Sequence, residues 1–114
     1  MHITVTGATG HIGNNMIRHL VQDGFEVRAV YRNSDKSWIF DSLTLEHCIG
    51  DILDADFVKE ALHNTDAVIH LAGIISIAGD PDGMVHKTNT IGVMNVVNAC
   101  KFQKVKRLIH FSSI

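Results

Sequence analysis

Thr6-Gly7-Ala8-Thr9-Gly10-His11-Ile12-Gly13 is the stretch whose residue types and spacing most plainly point to chemistry. It lies between a β-branched run, Ile3 to Thr6, and an amphipathic run over residues 11–23, so it reads as a strand-to-helix turn. Gly7 permits a tight exit from the strand, Gly10 leaves backbone bare for a pyrophosphate, and Gly13 lets the helix approach the strand. The helix start adds unpaired N–H groups and partial positive charge. Gly7, Thr9, Gly10, His11, Ile12 and Gly13 are therefore candidate dinucleotide contacts. No Gly-Lys-Ser/Thr follows, so this is not a Walker loop. The plain alternative is a glycine-rich turn that binds nothing.

Other chemistries find less support. The eight histidines show no His-x-x-x-His or His/Cys clustering of ligand type, so no metal site is expected. Cys48 and Cys100 are far apart and read as reduced thiols of a cytoplasmic protein. A net charge of -2 without a long basic block argues against nucleic acid. Lys101, Lys104, Lys106 and Arg107 read as the polar end of a helix. No run approaches ~20 apolar residues, so no membrane span is expected, and Met1 to Gly7 does not resemble a secretory leader.

The elements that must position the loop alternate between strand and helix. Strands are expected at Ile3 to Thr6, Glu26 to Tyr31, Leu43 to Ile49, Ala67 to Leu71 and Arg107 to Phe111. Helices are expected over 11–23, ending before Gly24, over 54–63 with Asp54 as N-cap, and over about 84–101. Residues 34–42 leave room for one or two helical turns. In the first helix Ile12, Met16, Ile17, Leu20 and Val21 share one face. In the last, Val93, Val96, Val97 and Cys100 form a stripe. Such alternation predicts an α/β fold, a Rossmann-type doubly wound parallel sheet of five strands in the order 3-2-1-4-5. The ligand crevice should lie at the carboxyl ends of strands one and four. At 114 residues the chain fits one NAD(P)-binding domain.

The G-x-x-G-x-x-G spacing resembles the cofactor loop of the extended short-chain dehydrogenase/reductase superfamily. That superfamily holds NAD-dependent epimerases and dehydratases and dihydroflavonol-reductase-like enzymes, and the wording of the loop leans toward the latter. The resemblance extends to Gly50-Asp51-Ile52-Leu53-Asp54, to His70-Leu71-Ala72-Gly73, to Asn89-Thr90-Ile91-Gly92-Val93-Met94-Asn95, and to the serines after the fifth strand. It implies that Asp51 accepts from the adenine amino group and that Ile52 packs on the ring. It implies that Leu71, Ala72 and Gly73 approach the ribose and diphosphate, with His70 a structural strand residue. It implies that Asn89 shapes its helix near a proton-relay water. Gly92, costly inside a helix, indicates close packing. After the second strand, Tyr31 stands where an NAD-selecting acid would be. Arg32 follows, and Lys36 lies near, which favours NADP over NAD. Arg28 points away from Val27 and Ala29 and receives no role.

In this superfamily a serine or threonine hydroxyl binds the substrate oxygen, a tyrosine transfers the proton, and a lysine four residues later lowers the tyrosine pKa. Ser113 is the candidate hydroxyl, with Ser112 beside the cofactor. In a second register the catalytic place falls on Ile114, and Ser113 only lines the cofactor. Tyr31 has no lysine at the required spacing, so the chain reads as the N-terminal fragment of a longer enzyme, truncated before its substrate-binding part and inactive alone. The resemblance implies hydride transfer with a small-molecule carbonyl or nucleotide-sugar substrate. It also implies a homodimer through the 84–101 helix. The other reading is a regulator that senses NADP without catalysis.

Overall fold

The computed structural model describes residues 1–72, 83 and 86–111. Its sheet comprises β1 (His2–Thr6), β2 (Glu26–Tyr31), β3 (Glu46–Ile49), β4 (Ala67–His70) and β5 (Arg107–His110). All pairings are parallel and the order is β3-β2-β1-β4-β5, the order expected of a doubly wound fold. The helices are α1 (His11–Gln22), α2 (Ala55–Ala61) and α3 (Gly92–Phe102). A 3-10 segment, Ser34–Phe40, occupies the ambiguous stretch, and a π-helical segment, Lys87–Ile91, leads into α3.

Alternation along β1 divides the core. Ile3 and Val5 join Ile17, Val27, Ala29, Tyr31, Phe40 and Ile69 on one face. Ile52, Val58, Leu62, Val68, Val96, Ala99 and Cys100 form the core on the other. Both faces are apolar because helices cover both, as a parallel sheet requires. Gly24 ends α1 in the left-handed region, φ +90°, where a side chain would be strained.

Most strand and helix ends lie within a residue or two of expectation, and three places differ in kind. β3 is shorter than 43–49 because Leu43 and Leu45 pack against the core while pairing with β2 begins at Glu46. α2 begins after Asp54, whose Oδ1 accepts from the N–H groups of Asp56 and Phe57, both at 3.2 Å. The long helix changes winding at Gly92. Ile12 also departs from the apolar face of α1 and is 54% exposed.

Arg28 lies on the face opposite Val27 and Ala29, as alternation requires, but it holds a structural role that its sequence context did not reveal. It is 2% exposed. Its Nη1 donates to the carbonyls of Ala61 and His63, both at 2.7 Å, and to Thr65 Oγ1 at 3.2 Å. Its Nε donates to Glu46 Oε2 at 3.0 Å. One guanidinium thus ties β2 to β3 and to the end of α2. The buried carbonyls matter more than the ion pair, because the Glu46 side chain is 57% exposed and water screens it. We expect Arg28→Met to cost about 2–4 kcal/mol, since it leaves buried acceptors unpaired, and Glu46→Gln to cost less than about 1 kcal/mol. Urea denaturation of the two variants checks the ranking.

Candidate nucleotide-binding cleft

A cleft of about 270 Å³ opens at the carboxyl ends of β1, β2 and β4. Gly7, Thr9 and Gly10 form one wall, Arg32, Asp51 and Ile52 another, and Leu71, Ala72 and Thr88 complete it. This is the switch point where β1 has neighbours on both sides and the connections turn to opposite faces.

The glycines of the loop do different work. Gly7 has φ +66°, and a Cβ there would come within 2.7 Å of Ala72 N and Leu71 C. No other residue fits without moving the end of β4. A Cβ on Gly13 would run into the Gly7 carbonyl, so Gly13 packs behind the loop. Gly10 is different. Its backbone, φ -70° and ψ 170°, suits any residue, and a Cβ would meet only the Gly7 carbonyl, at 3.4 Å. The fold does not demand a glycine there, yet the position faces the cleft. Gly10 is also the N-cap of α1, without a side-chain cap, and the first turn carries no acid. The helix therefore presents unsatisfied N–H groups and positive potential.

Thr6 fixes this loop to β4. Its Oγ1 accepts from Leu71 N at 3.1 Å and Ala72 N at 3.2 Å. It lies 2.6 Å from His70 Nδ1. With two N–H groups donating to the hydroxyl oxygen, the hydroxyl proton is directed to Nδ1, so His70 carries its proton on Nε2. His70 is 1% exposed, and its Nε2 has no hydrogen-bond partner among the described residues. The His110 ring stacks on it with centroids 5.3 Å apart. Burial, and then the nearby His110, push the His70 pKa down to about 4.

Along the second wall, the Tyr31 side chain turns into the core. It is 4% exposed, and its hydroxyl lies 2.7 Å from His47 Nδ1. Burial raises its pKa. Arg32 is exposed and lines the cleft. Asp51 Oδ1 accepts from Leu53 N at 3.0 Å, which holds the turn after β3. Ile52 is fixed from α3. Asn95 Nδ2 donates to its carbonyl at 2.8 Å. A Cβ on Gly92 would come within 2.5 Å of its Cδ1, the close packing that Gly92 indicated.

Of the candidate contacts, Gly7, Thr9, Gly10, Arg32, Asp51, Ile52, Leu71 and Ala72 come together around the cleft. Gly13 supports the loop from behind. His11, Ile12, Lys36 and Asn89 are exposed and do not line it. Gly73, Ser112 and Ser113 lie outside the described residues. Val30, Gly50 and Thr88 line the cleft without having been anticipated. Gly50 directly precedes Asp51, and a Cβ there would strike the Phe57 ring at 2.5 Å. Thr88 sits beside the Asn89 that drew attention, and helical phase alone could have suggested it. No helix among the described residues is long and apolar enough to cross a membrane.

A parallel sheet in this order, with a glycine loop at its switch point, defines a nucleotide-binding class of fold. Residues 4–114 match the 3-beta hydroxysteroid dehydrogenase/isomerase family, and the chain belongs to that family, within the extended short-chain dehydrogenase/reductase superfamily. It is 32% identical over 113 residues to the sterol demethylase protein B of Methylococcus capsulatus, covering 99% of this chain and 34% of that protein. It is 34% identical over 121 residues to cinnamoyl-CoA reductase 1 of Petunia hybrida, covering 98% and 35%. The Bordetella bronchiseptica enzyme WbmG, solved with NAD and UDP, superposes with a TM-score of 0.84 at 27% identity, covering 96% of this chain and 36% of that one. The chain spans about a third of the length of the curated relatives it matches.

The buried, neutral His70 has a consequence for stability. Its ring pKa falls from the ordinary 6.5 to about 4, so the fold favours the uncharged form. The stabilisation is whole above pH 6.5, erodes as the pH falls below it, and is lost below about 4. Between pH 7 and pH 4 the native chain should lose about 3 kcal/mol more than His70→Gln, which cannot titrate. Urea denaturation across that range measures the difference, and parallel curves would show that the ring is not held neutral.

Proposed function

We propose that the cleft binds NADP and that this chain is the cofactor-binding part of an oxidoreductase or epimerase. Such an enzyme moves hydride between nicotinamide C4 and a carbonyl or alcohol carbon of its substrate. The observation that carries the reading is Gly10. The fold places no demand for a glycine there, while the cleft and the uncapped start of α1 both open at that residue. A bare backbone beside unsatisfied N–H groups fits a pyrophosphate.

The remaining walls fit the rest of a dinucleotide. Asp51 offers a carboxylate and Ile52 an apolar surface for an adenine. Leu71 and Ala72 bring close backbone toward the ribose and diphosphate. Arg32 supplies positive charge where a 2′-phosphate would lie, with Lys36 nearby in sequence. NAD remains the alternative cofactor, as in the relative solved with it. The substrate is a small-molecule carbonyl, in line with the cinnamoyl-CoA reductase relationship, or a nucleotide sugar. Dihydroflavonol-like ketones belong to the first class.

Proton transfer is a separate matter. These 114 residues hold one tyrosine, Tyr31, and its hydroxyl is buried against His47. It therefore cannot serve as the family's proton donor, and the reading places that tyrosine and its lysine outside these residues. Ser113 would bind the substrate oxygen, Ser112 would line the cofactor, and Asn89 would shape the helix beside the relay. The 114 residues alone are expected to bind cofactor without turnover. Pairing through the 84–101 helix and a cytoplasmic setting belong to the same proposal.

Calorimetric titration tests it. NADP should bind the wild-type chain. Arg32→Ala should weaken NADP by about tenfold or more and leave NAD within about twofold, because only the 2′-phosphate loses a charge-assisted partner. Absence of binding at millimolar NADP would overturn the assignment, and equal effects on both cofactors would remove Arg32 from the 2′-phosphate site.

A further inference from the structure

His70 does not line the cleft, yet the two residues that follow it do, and both are fixed through it. The Ala72 N–H has one acceptor among the described residues, Thr6 Oγ1 at 3.2 Å. The Leu71 N–H is shared between that oxygen, at 3.1 Å, and the Thr6 carbonyl, at 3.3 Å. Thr6 Oγ1 serves both N–H groups only in the rotamer that points it at the end of β4. Threonine has competing staggered positions, which exchange its hydroxyl for its methyl. The acceptor that selects this one is His70 Nδ1, 2.6 Å from the hydroxyl oxygen. His70 is itself held in place. It is 1% exposed, and the His110 ring stacks on it.

The effect reaches the phosphate side of the cleft, because no slack separates β4 from the glycine loop. A Cβ on Gly7 would come within 2.7 Å of Ala72 N. The Gly7 carbonyl accepts from Gly10 N at 3.1 Å, and a Cβ on Gly13 would run into it. A shift of the Leu71–Ala72 backbone therefore presses on Gly7 and, through Gly7, on the start of α1. We infer that His70 is a positioning residue for the nucleotide: through the Thr6 hydroxyl it holds the Leu71–Ala72 backbone against the glycine loop at the spacing the cofactor needs. This rests on the dinucleotide reading above and adds to it a residue outside the cleft wall. A histidine that only filled the core would matter equally with or without the Thr6 hydroxyl.

That difference is measurable. His70→Asn puts an amide oxygen where Nδ1 accepts, His70→Leu keeps bulk without an acceptor, and Thr6→Val removes the hydroxyl. NADP is titrated calorimetrically into each variant and into Thr6→Val/His70→Leu, and urea midpoints report the fold. We expect His70→Leu to raise the NADP Kd by about tenfold and His70→Asn by no more than about threefold. In the Thr6→Val background, His70→Leu should add less than about twofold, because both changes remove one shared contact. In His70→Leu the Ala72 amide should exchange its hydrogen about tenfold faster, while the Ile69 amide, within the ladder, keeps its protection. If His70→Leu costs the same with and without the Thr6 hydroxyl, or if Asn and Leu weaken binding alike, His70 acts through packing and the inference is overturned. The wild-type chain gives a check that needs no variant to fold. Its imidazole nitrogen-15 spectrum should show His70 protonated on Nε2, and a proton on Nδ1 would overturn the inference directly. If that spectrum is as expected but wild type binds no NADP at millimolar concentration, the dinucleotide reading itself fails and takes the positioning role with it.

Discussion

The Thr6 hydroxyl is the contact on which the cleft depends. It joins the last residue of β1 to the first two residues beyond β4 through two backbone N–H groups and sends its own proton to His70. Parallel strands end with backbone groups that no ladder can satisfy, and here the two strand ends must also separate to make room for a ligand. One hydroxyl answers both demands. It accepts from two part-buried donors and sets the spacing between the strand ends. Gly7 can then lie against the end of β4 only because it lacks a side chain, since a Cβ there would come within 2.7 Å of Ala72 N. A bulkier residue at either place would move a wall of the cleft.

His70 explains why that contact is buried. A threonine hydroxyl accepting two N–H bonds needs an acceptor for its own hydrogen, and a neutral imidazole nitrogen supplies one without bringing charge into the core. Protonation would turn the acceptor into a donor facing a donor, so the arrangement and the depressed pKa share a cause. Nε2 has no hydrogen-bond partner among the described residues, and the His110 ring stacks on the imidazole.

How much of this was legible in the sequence follows from the range of each interaction. The glycine loop, the strand order and the Asp54 cap depend on residues within a few positions of one another, and their patterns were readable. Arg28 was not. Its partners Ala61, His63 and Thr65 are carbonyls and a hydroxyl more than thirty positions away, and a lone arginine in a strand gives no sign of them. Tyr31 stands at the position of an NAD-selecting acid and lines the cleft, while its ring packs into the core because β2 alternates and Val27 and Ala29 already define that face. Lys36 was grouped with Arg32 by nearness in sequence, yet the 3-10 segment in which it lies carries it off the cleft. Its winding also places Asn33 as a cap, accepting from Asp35 N at 3.0 Å.

Ile52 shows how the second half of the cleft is built. A flat apolar side chain is useful to a ring only if its position is fixed, and Ile52 follows a turn that has no strand partner. Three constraints replace the missing ladder. Asp51 closes the turn on Leu53 N, Asn95 anchors the Ile52 carbonyl from α3, and Gly92 lets the helix settle against its Cδ1. The signature Asn89 to Asn95 is therefore divided in function. Its glycine and second asparagine hold a cleft residue forty or more positions earlier, and its first asparagine is exposed. One helix does both. It delivers a tightly packed anchor at Gly92 and, one turn earlier, brings Thr88 to the wall. A regular helix continued backward from Gly92 turns 100° per residue, so four residues bring Thr88 back to nearly the same face.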